Sequence, residues 1–173
     1  MTEAETQDQD FLDRYKEPNF QALLGELDGA VVIRFFHYFS RFEYALKRRD
    51  FKKVSGRFII GADWPGYVST LDSIHYPTES IKVKNAIELL CNSPVKRQLK
   101  NLSWQANRPI NPLSFKRALK QVPYIRNNLF HGGKYMNSNA TRDLQLLESA
   151  IYLMQYCLVN DPELFDYFHR PDM

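Results

Sequence analysis

Arg126 and His131 are the two side chains in this sequence whose types and spacing could do chemistry together. They stand five residues apart in Arg126-Asn127-Asn128-Leu129-Phe130-His131, and Gly132 and Gly133 follow. A guanidinium offers a planar fork to two phosphate oxygens, while an imidazole moves a proton near neutral pH. The combination suits a phosphodiester and needs no metal. On RNA, the 2′-hydroxyl would attack its own phosphate, leaving a 2′,3′-cyclic phosphate and a 5′-hydroxyl. The spacing sets a condition, because residues i and i+5 on an α-helix lie ~140° apart, whereas i and i+4 are neighbours. If the helix ends near His131 and the glycines turn the chain away, the two side chains can meet around that end or across to a second subunit.

A carboxylate is the third candidate. From Ala30 to Arg49, Val32, Phe35, Phe36, Phe39, Phe42 and Leu46 follow the i, i+3, i+4, i+7 rule of one long amphipathic helix. At ~100° per residue Glu43 falls inside that apolar stripe. Arg126, counted from Phe115, falls at the margin of the stripe made by Leu119, Val122 and Leu129. A half-hidden acid requires a partner, since an unpaired charge in a low-dielectric site costs several kcal/mol. A structural Glu43–Arg126 ion pair would meet that need, and so would a solvated pair with Lys47 at i+4.

The elements that must position these groups read as helices throughout. A short helix is predicted over Asn19 to Leu27, with Gly29 as the break before the long one. Between Phe51 and Tyr76 periodicity is lost and Gly56, Gly61, Pro65 and Gly66 collect, which predicts an irregular insert with an extended piece at Phe58-Ile59-Ile60. Thr78 is the expected N-cap of a helix carrying Val83, Ala86, Ile87 and Leu90 on one face. A short basic helix is expected from Pro94 to Trp104, then a loop through the Asn and Pro residues of Ala106 to Pro112. Phe115, Ala118, Leu119 and Val122 open the next helix, which either kinks at Pro123 or restarts with Pro123 in its first turn before Tyr124 to Phe130. A final helix from Thr141 to Val159 bears two apolar stripes, one through Leu144, Leu147, Ile151, Met154 and Leu158, the other through Leu146, Ala150, Leu153 and Cys157; such a helix is central. The expected architecture is all-α, an antiparallel helical bundle in one domain over residues 11–173, after an acidic, disordered tail at 1–10.

Composition narrows the function. With 44% hydrophobic and 14% aromatic residues among 173, the chain folds around a real core. No run of about 18 apolar residues is present and the N-terminus is acidic, so neither a membrane span nor a signal peptide is expected, and the cytoplasm is the expected location. Cys91 and Cys157 sit in apolar helical patterns and are read as free core thiols. His37, His75, His131 and His169 have no companions at ligand spacing, so no metal and no cofactor is expected. Net charge is +3, yet the first ten residues hold four acids and no base, leaving about +7 on the remainder. The excess forms three groups: Lys47, Arg48, Arg49, Lys52, Lys53 and Arg57; Lys96, Arg97 and Lys100; Lys116, Arg117 and Lys120. They are either solvated helix faces or a surface for a polyanion.

Arg126 to His131 resembles the R-x4-6-H signature of HEPN-domain ribonucleases, in which a polar residue usually follows the arginine, as Asn127 does here. Gly132-Gly133 and the aromatic, acidic stretch from Arg41 to Phe51 are similar to segments of prokaryotic HEPN proteins of toxin and anti-phage systems. The resemblance spans roughly Gly29 to Asn160. It implies a helical bundle that dimerises with both arginine–histidine pairs facing one cleft, and metal-independent endoribonuclease activity. By position, Arg126 and His131 would be the catalytic pair, Asn127 the polar helper and Glu43 the acid that orients the arginine. Lys47, Arg48 and Lys134 would be RNA-contacting cations. The resemblance implies RNA, a second copy of the chain, and a cognate antitoxin or defence-system protein as partners. Some family toxins are silenced through a tyrosine two residues after the histidine; this chain has Gly133 there, and its tyrosine is Tyr135. The other reading is a HEPN-fold nucleotide-binding, nucleic-acid-binding or scaffold protein without chemistry.

Overall fold

The structure, a computed structural model, describes residues 14–19, 22, 25–130 and 139–170, with Phe130 by its main chain alone. It is mainly helical. The long helix, α1, runs Gly29–Arg48 and buries Phe35, Phe39, Phe42 and Leu46 of the stripe read from the sequence, together with Ala45, while Val32 and Phe36 of that stripe are half-buried. Asp28 caps it, accepting from the Ala30 N–H at 2.8 Å, so Gly29 opens the helix and is not a break. The left-handed residue lies earlier, at Gly25, with φ 59. Of the short helix expected over Asn19 to Leu27, Phe20, Gln21, Leu23 and Leu24 lie outside the described residues, and it does not reach Leu27, since Gly25 to Leu27 form a turn and a bend.

The insert is more ordered than its sequence implies. Strands β1 (Lys52–Ser55) and β2 (Phe58–Ala62) pair antiparallel, and helix α2 (Trp64–Ser69) follows, capped by Asp63 with Pro65 in its first turn. Helix α2 buries Trp64, Tyr67 and Val68 against the bundle. Helix α3 (Ile81–Asn92) is capped by Ser80, whose side chain accepts from the Val83 N–H, and Thr78 does not hold the cap.

The expected helix from Pro94 to Trp104 is absent. In its place a small hairpin pairs β3 (Arg97–Gln98) with β4 (Trp104–Gln105). Asn101 Oδ1 accepts from both the N–H and the hydroxyl of Ser103, and Leu102 has φ 65, which turns the chain. Side chains from elsewhere also take the carbonyls that a helix would use: Arg142 those of Ser93 and Pro94, Asn107 that of Val95, Asn128 that of Lys96.

Helix α4 (Phe115–Leu119) ends before Pro123, and α5 (Val122–Phe130) restarts with the proline in its first turn. Helix α6 (Ala140–Asn160) buries residues around its circumference, from Leu146 to Leu158, and packs against α1, α3, α4 and α5, as its two stripes require. Helix α7 (Pro162–His169) goes beyond the sequence reading; Asp161 caps it, with Pro162 at its start and Glu163 in its first turn. Arg41 of α1 holds its far end, donating to the carbonyls of Tyr167, Phe168 and Arg170 at 2.7 to 3.1 Å. Leu164 is fully buried beneath it. Both cysteines are buried and unbridged. Among the described residues no helix is long and apolar enough to cross a membrane.

Candidate functional site

Helix α5 places Arg126 half-buried at the bundle margin, as its phase implied, because counting restarts cleanly at Val122. Its Nη1 donates to Asn127 Oδ1 at 3.1 Å, and its guanidinium carbon stands 6.0 Å from the Phe39 ring centroid. Asn127, read as the polar helper, therefore touches the arginine directly. Phe39 is in turn stacked on Trp64, with centroids 5.5 Å apart, and Trp64 also stacks on Phe42 at 5.1 Å.

Glu43 lies one turn beyond Phe39 on α1, half-buried. Its Oε1 accepts from the indole Nε1–H of Trp64 at 2.9 Å. Among the described residues, Glu43 and Arg126 thus meet the same aromatic pair and not each other. The expected ion pair is replaced by an indole–carboxylate hydrogen bond, and Glu43 orients Trp64 where it was expected to orient the arginine. Trp64 is the residue that sequence reasoning missed. It sits in the stretch without periodicity, where only its size and its indole donor marked it.

The candidate cations divide. Lys47 is half-buried near the end of α1. Arg48 is exposed, but its guanidinium lies 5.4 Å over the Tyr167 ring, on the α7 side of α1 and ~140° around the helix from Glu43, so it is not aligned with the Arg126 face. His131 and Lys134, with Gly132, Gly133 and Tyr135, lie outside the described residues.

Several charge-bearing groups elsewhere are committed to structural contacts. Arg49 pairs with Asp161 and with Glu163, the latter at 3.1 Å. Lys116 Nζ donates to the carbonyls of Ser69 and Leu71 and closes the end of α2. A cavity of about 460 Å³ beside Arg49 is lined by Tyr67, His75, Tyr156 and Cys157 among others. There the Tyr156 hydroxyl donates to Glu79 Oε1 at 2.7 Å; having spent its proton, it accepts from His75 Nε2 at 2.8 Å. Burial pushes the Cys157 thiol up to about 12, and burial followed by the Glu79 hydrogen bond pushes Tyr156 to about 12. Both are less acidic than usual, so neither supplies a nucleophile at neutral pH. Among the described residues, no group of three or more His, Cys, Asp or Glu could hold a metal ion.

A second cavity, about 420 Å³, is lined by Trp64, Val68 and Pro123 among others. It adjoins a third of about 230 Å³, and the two share Arg97, Gln121 and Tyr124.

The chain matches no family model, no curated protein and no solved structure. Any function must therefore be argued from its own residues.

Proposed function

We propose that this chain is a metal-independent endoribonuclease of the HEPN type, cutting RNA by 2′-hydroxyl transesterification as a toxin or anti-phage effector. The observation that carries the reading is the setting of Arg126. The guanidinium is half-buried, is bonded to the next residue of its own motif, and comes from a helix whose sequence reaches His131 directly after Phe130. Phe39 and Asn127 restrict its rotamers, so less entropy is lost when the guanidinium engages a phosphate. In this reading the arginine fork stabilises the pentavalent phosphorane, and His131 transfers protons. One histidine cannot conveniently serve both the attacking and the leaving oxygen. Two chains related by a two-fold axis would supply one each, so the active form is a homodimer with the site at its interface.

The second reading, a binding or scaffold protein without chemistry, is favoured by one observation. Trp64 already takes Glu43, and Arg126 packs on Phe39, so both charged groups have structural uses. The readings part on a single assay. Purified protein incubated with RNA in EDTA should give cyclic-phosphate ends, and DNA of the same sequence, lacking the 2′-hydroxyl, should survive. Intact RNA, or strict dependence on a divalent ion, rules the enzyme reading out.

A further inference from the structure

The three basic groups of the sequence do not form three surfaces. Each sends one cation to a single groove: Lys53 from the first, Arg97 from the second and Lys120 from the third line the joined cavities beside Trp64, and Arg108 adds a fourth. No carboxylate is among the lining residues of either cavity. Among the described residues none of the four cations is held in an ion pair, in contrast to Arg49 and Lys52.

Two further features define what the groove would take. Tyr124 is 47% exposed, and the Arg97 guanidinium lies over one face of its ring, 5.9 Å from the centroid, so an aromatic plane and a cation stand together and a base would stack on the other face or in the place of the guanidinium. Gln121 lines both cavities, is only 9% exposed, and its carboxamide has no hydrogen-bond partner among the described residues. Its amide atoms are not among the buried unpartnered ones, so they reach the water of the cavities and offer a donor and an acceptor that a ligand can use. An aromatic plane, an amide that can read a polar edge and cations without acids together match a nucleobase with its flanking phosphates. A phosphopeptide would use the cations but neither the ring nor the amide. A duplex would keep its base edges out of reach of Gln121.

The wall carrying Arg97 is fixed in advance. Arg142 donates to Ser93 Oγ and to the carbonyls of Ser93 and Pro94, Asn107 to Val95 O, and Asn128 to Lys96 O at 2.7 Å. Binding would therefore order side chains and little main chain.

We propose that this groove is a single-stranded RNA subsite: one base stacks on Tyr124 with its edge at Gln121, and Arg97, Arg108, Lys53 and Lys120 hold the phosphates on either side. Trp64 borders both this groove and the Arg126 site, so the strand would pass from one to the other. The assignment to RNA rests on the ribonuclease reading, whereas binding in the groove can be measured without it.

The test is fluorescence anisotropy with a short 2′-O-methyl oligoribonucleotide, which has no 2′-hydroxyl and cannot be cut by transesterification. Tyr124→Ala should raise Kd about tenfold, the loss of one stacked base. Arg97→Ala should lower the slope of log K against log salt by about one. Gln121→Leu, matched in size and checked by thermal melting, should weaken binding while preserving the fold. Lys100→Ala, outside the groove, should bind like wild type. Wild-type affinity in both Tyr124→Ala and Gln121→Leu overturns the proposal, as does equal weakening by Lys100→Ala or tighter binding of duplex RNA or a phosphopeptide. If the groove variants lose the oligonucleotide but wild type cuts no RNA, the subsite stands and the ribonuclease reading fails. If wild type cuts RNA and the groove variants keep its KM, the ribonuclease reading stands and the subsite fails.

Discussion

Trp64 gives its indole N–H to Glu43 and its ring to Phe39, so the acid on α1 and the arginine on α5 are tied to one side chain from the insert. Removing either end should be felt in stability. Glu43→Ala leaves a buried indole N–H without its acceptor, at a cost of about 1–3 kcal/mol. Trp64→Phe keeps most of the stack but strips the carboxylate of its donor, with a loss of similar size. Because the two share one bond, the double variant should lose less than the sum of the singles in urea denaturation. Strict additivity would show that the bond contributes nothing.

Arg126→Lys should abolish RNA cleavage although the charge is kept, since an ammonium cannot present the planar fork. His131→Ala should abolish it as well, through loss of proton transfer. Retained cleavage by either variant, read from gel-resolved product ends, refutes their assigned roles.

The composite site makes a claim about mixing. Light scattering at micromolar concentration should give a mass near twice 20.4 kDa. Wild-type chains mixed with excess His131→Ala chains should lose activity beyond dilution, because most wild-type subunits would then sit in defective heterodimers. Activity tracking only the amount of wild-type chain would contradict the dimeric site.

Stability should fall in alkali, from about pH 9 upward. The Cys157 thiol titrates near ~8.5 in an unfolded chain, and burial moves it to about 12 in the folded protein. The folded form then holds its proton more tightly. That contribution is complete below the unfolded value and is lost as pH rises toward the folded one, at up to ~1.4 kcal/mol per pH unit. Tyr156 adds to the same trend between its ordinary value of 10.0 and about 12. Cys157→Ala should make the decline of the urea midpoint shallower. A midpoint level to pH 11 would exclude burial of the neutral thiol.

Arg41 predicts local behaviour at the other end of the molecule. Its guanidinium donates to three carbonyls at the end of α7, so Arg41→Ala should let that helix open, and hydrogen exchange at Tyr167 to His169 should accelerate while α3 keeps its protection. Unchanged exchange there would mean that Leu164 alone holds the helix.

How much of this could be read from the chain depended on where the determining contacts lie. Helix α1 and the central α6 were legible because each carries its own apolar stripes, and the position of Arg126 was legible because Pro123 starts a fresh helix and leaves the local count intact. The hairpin over Arg97 to Gln105 was not legible, since the groups that claim its approach, Asn107, Asn128 and Arg142, act across the fold. The partner of Glu43 was hidden for the same reason: Trp64 comes from a segment with no period to place it. The basic groups were left with two readings for a different reason: neighbours in sequence such as Arg49 and Lys53, or Lys116 and Lys120, serve different structures.

The run from Ser93 to Lys96 is gripped chiefly by its carbonyl oxygens, and carbonyls are the same whatever side chain the residue bears. Val95 is buried, but Lys96 and Arg97 are exposed heads on a mount that does not depend on them. Either could be exchanged for an aromatic, an amide or an acid while the wall stays where it is. The scaffold can therefore drift toward a new target one side chain at a time, without passing through unfolded intermediates.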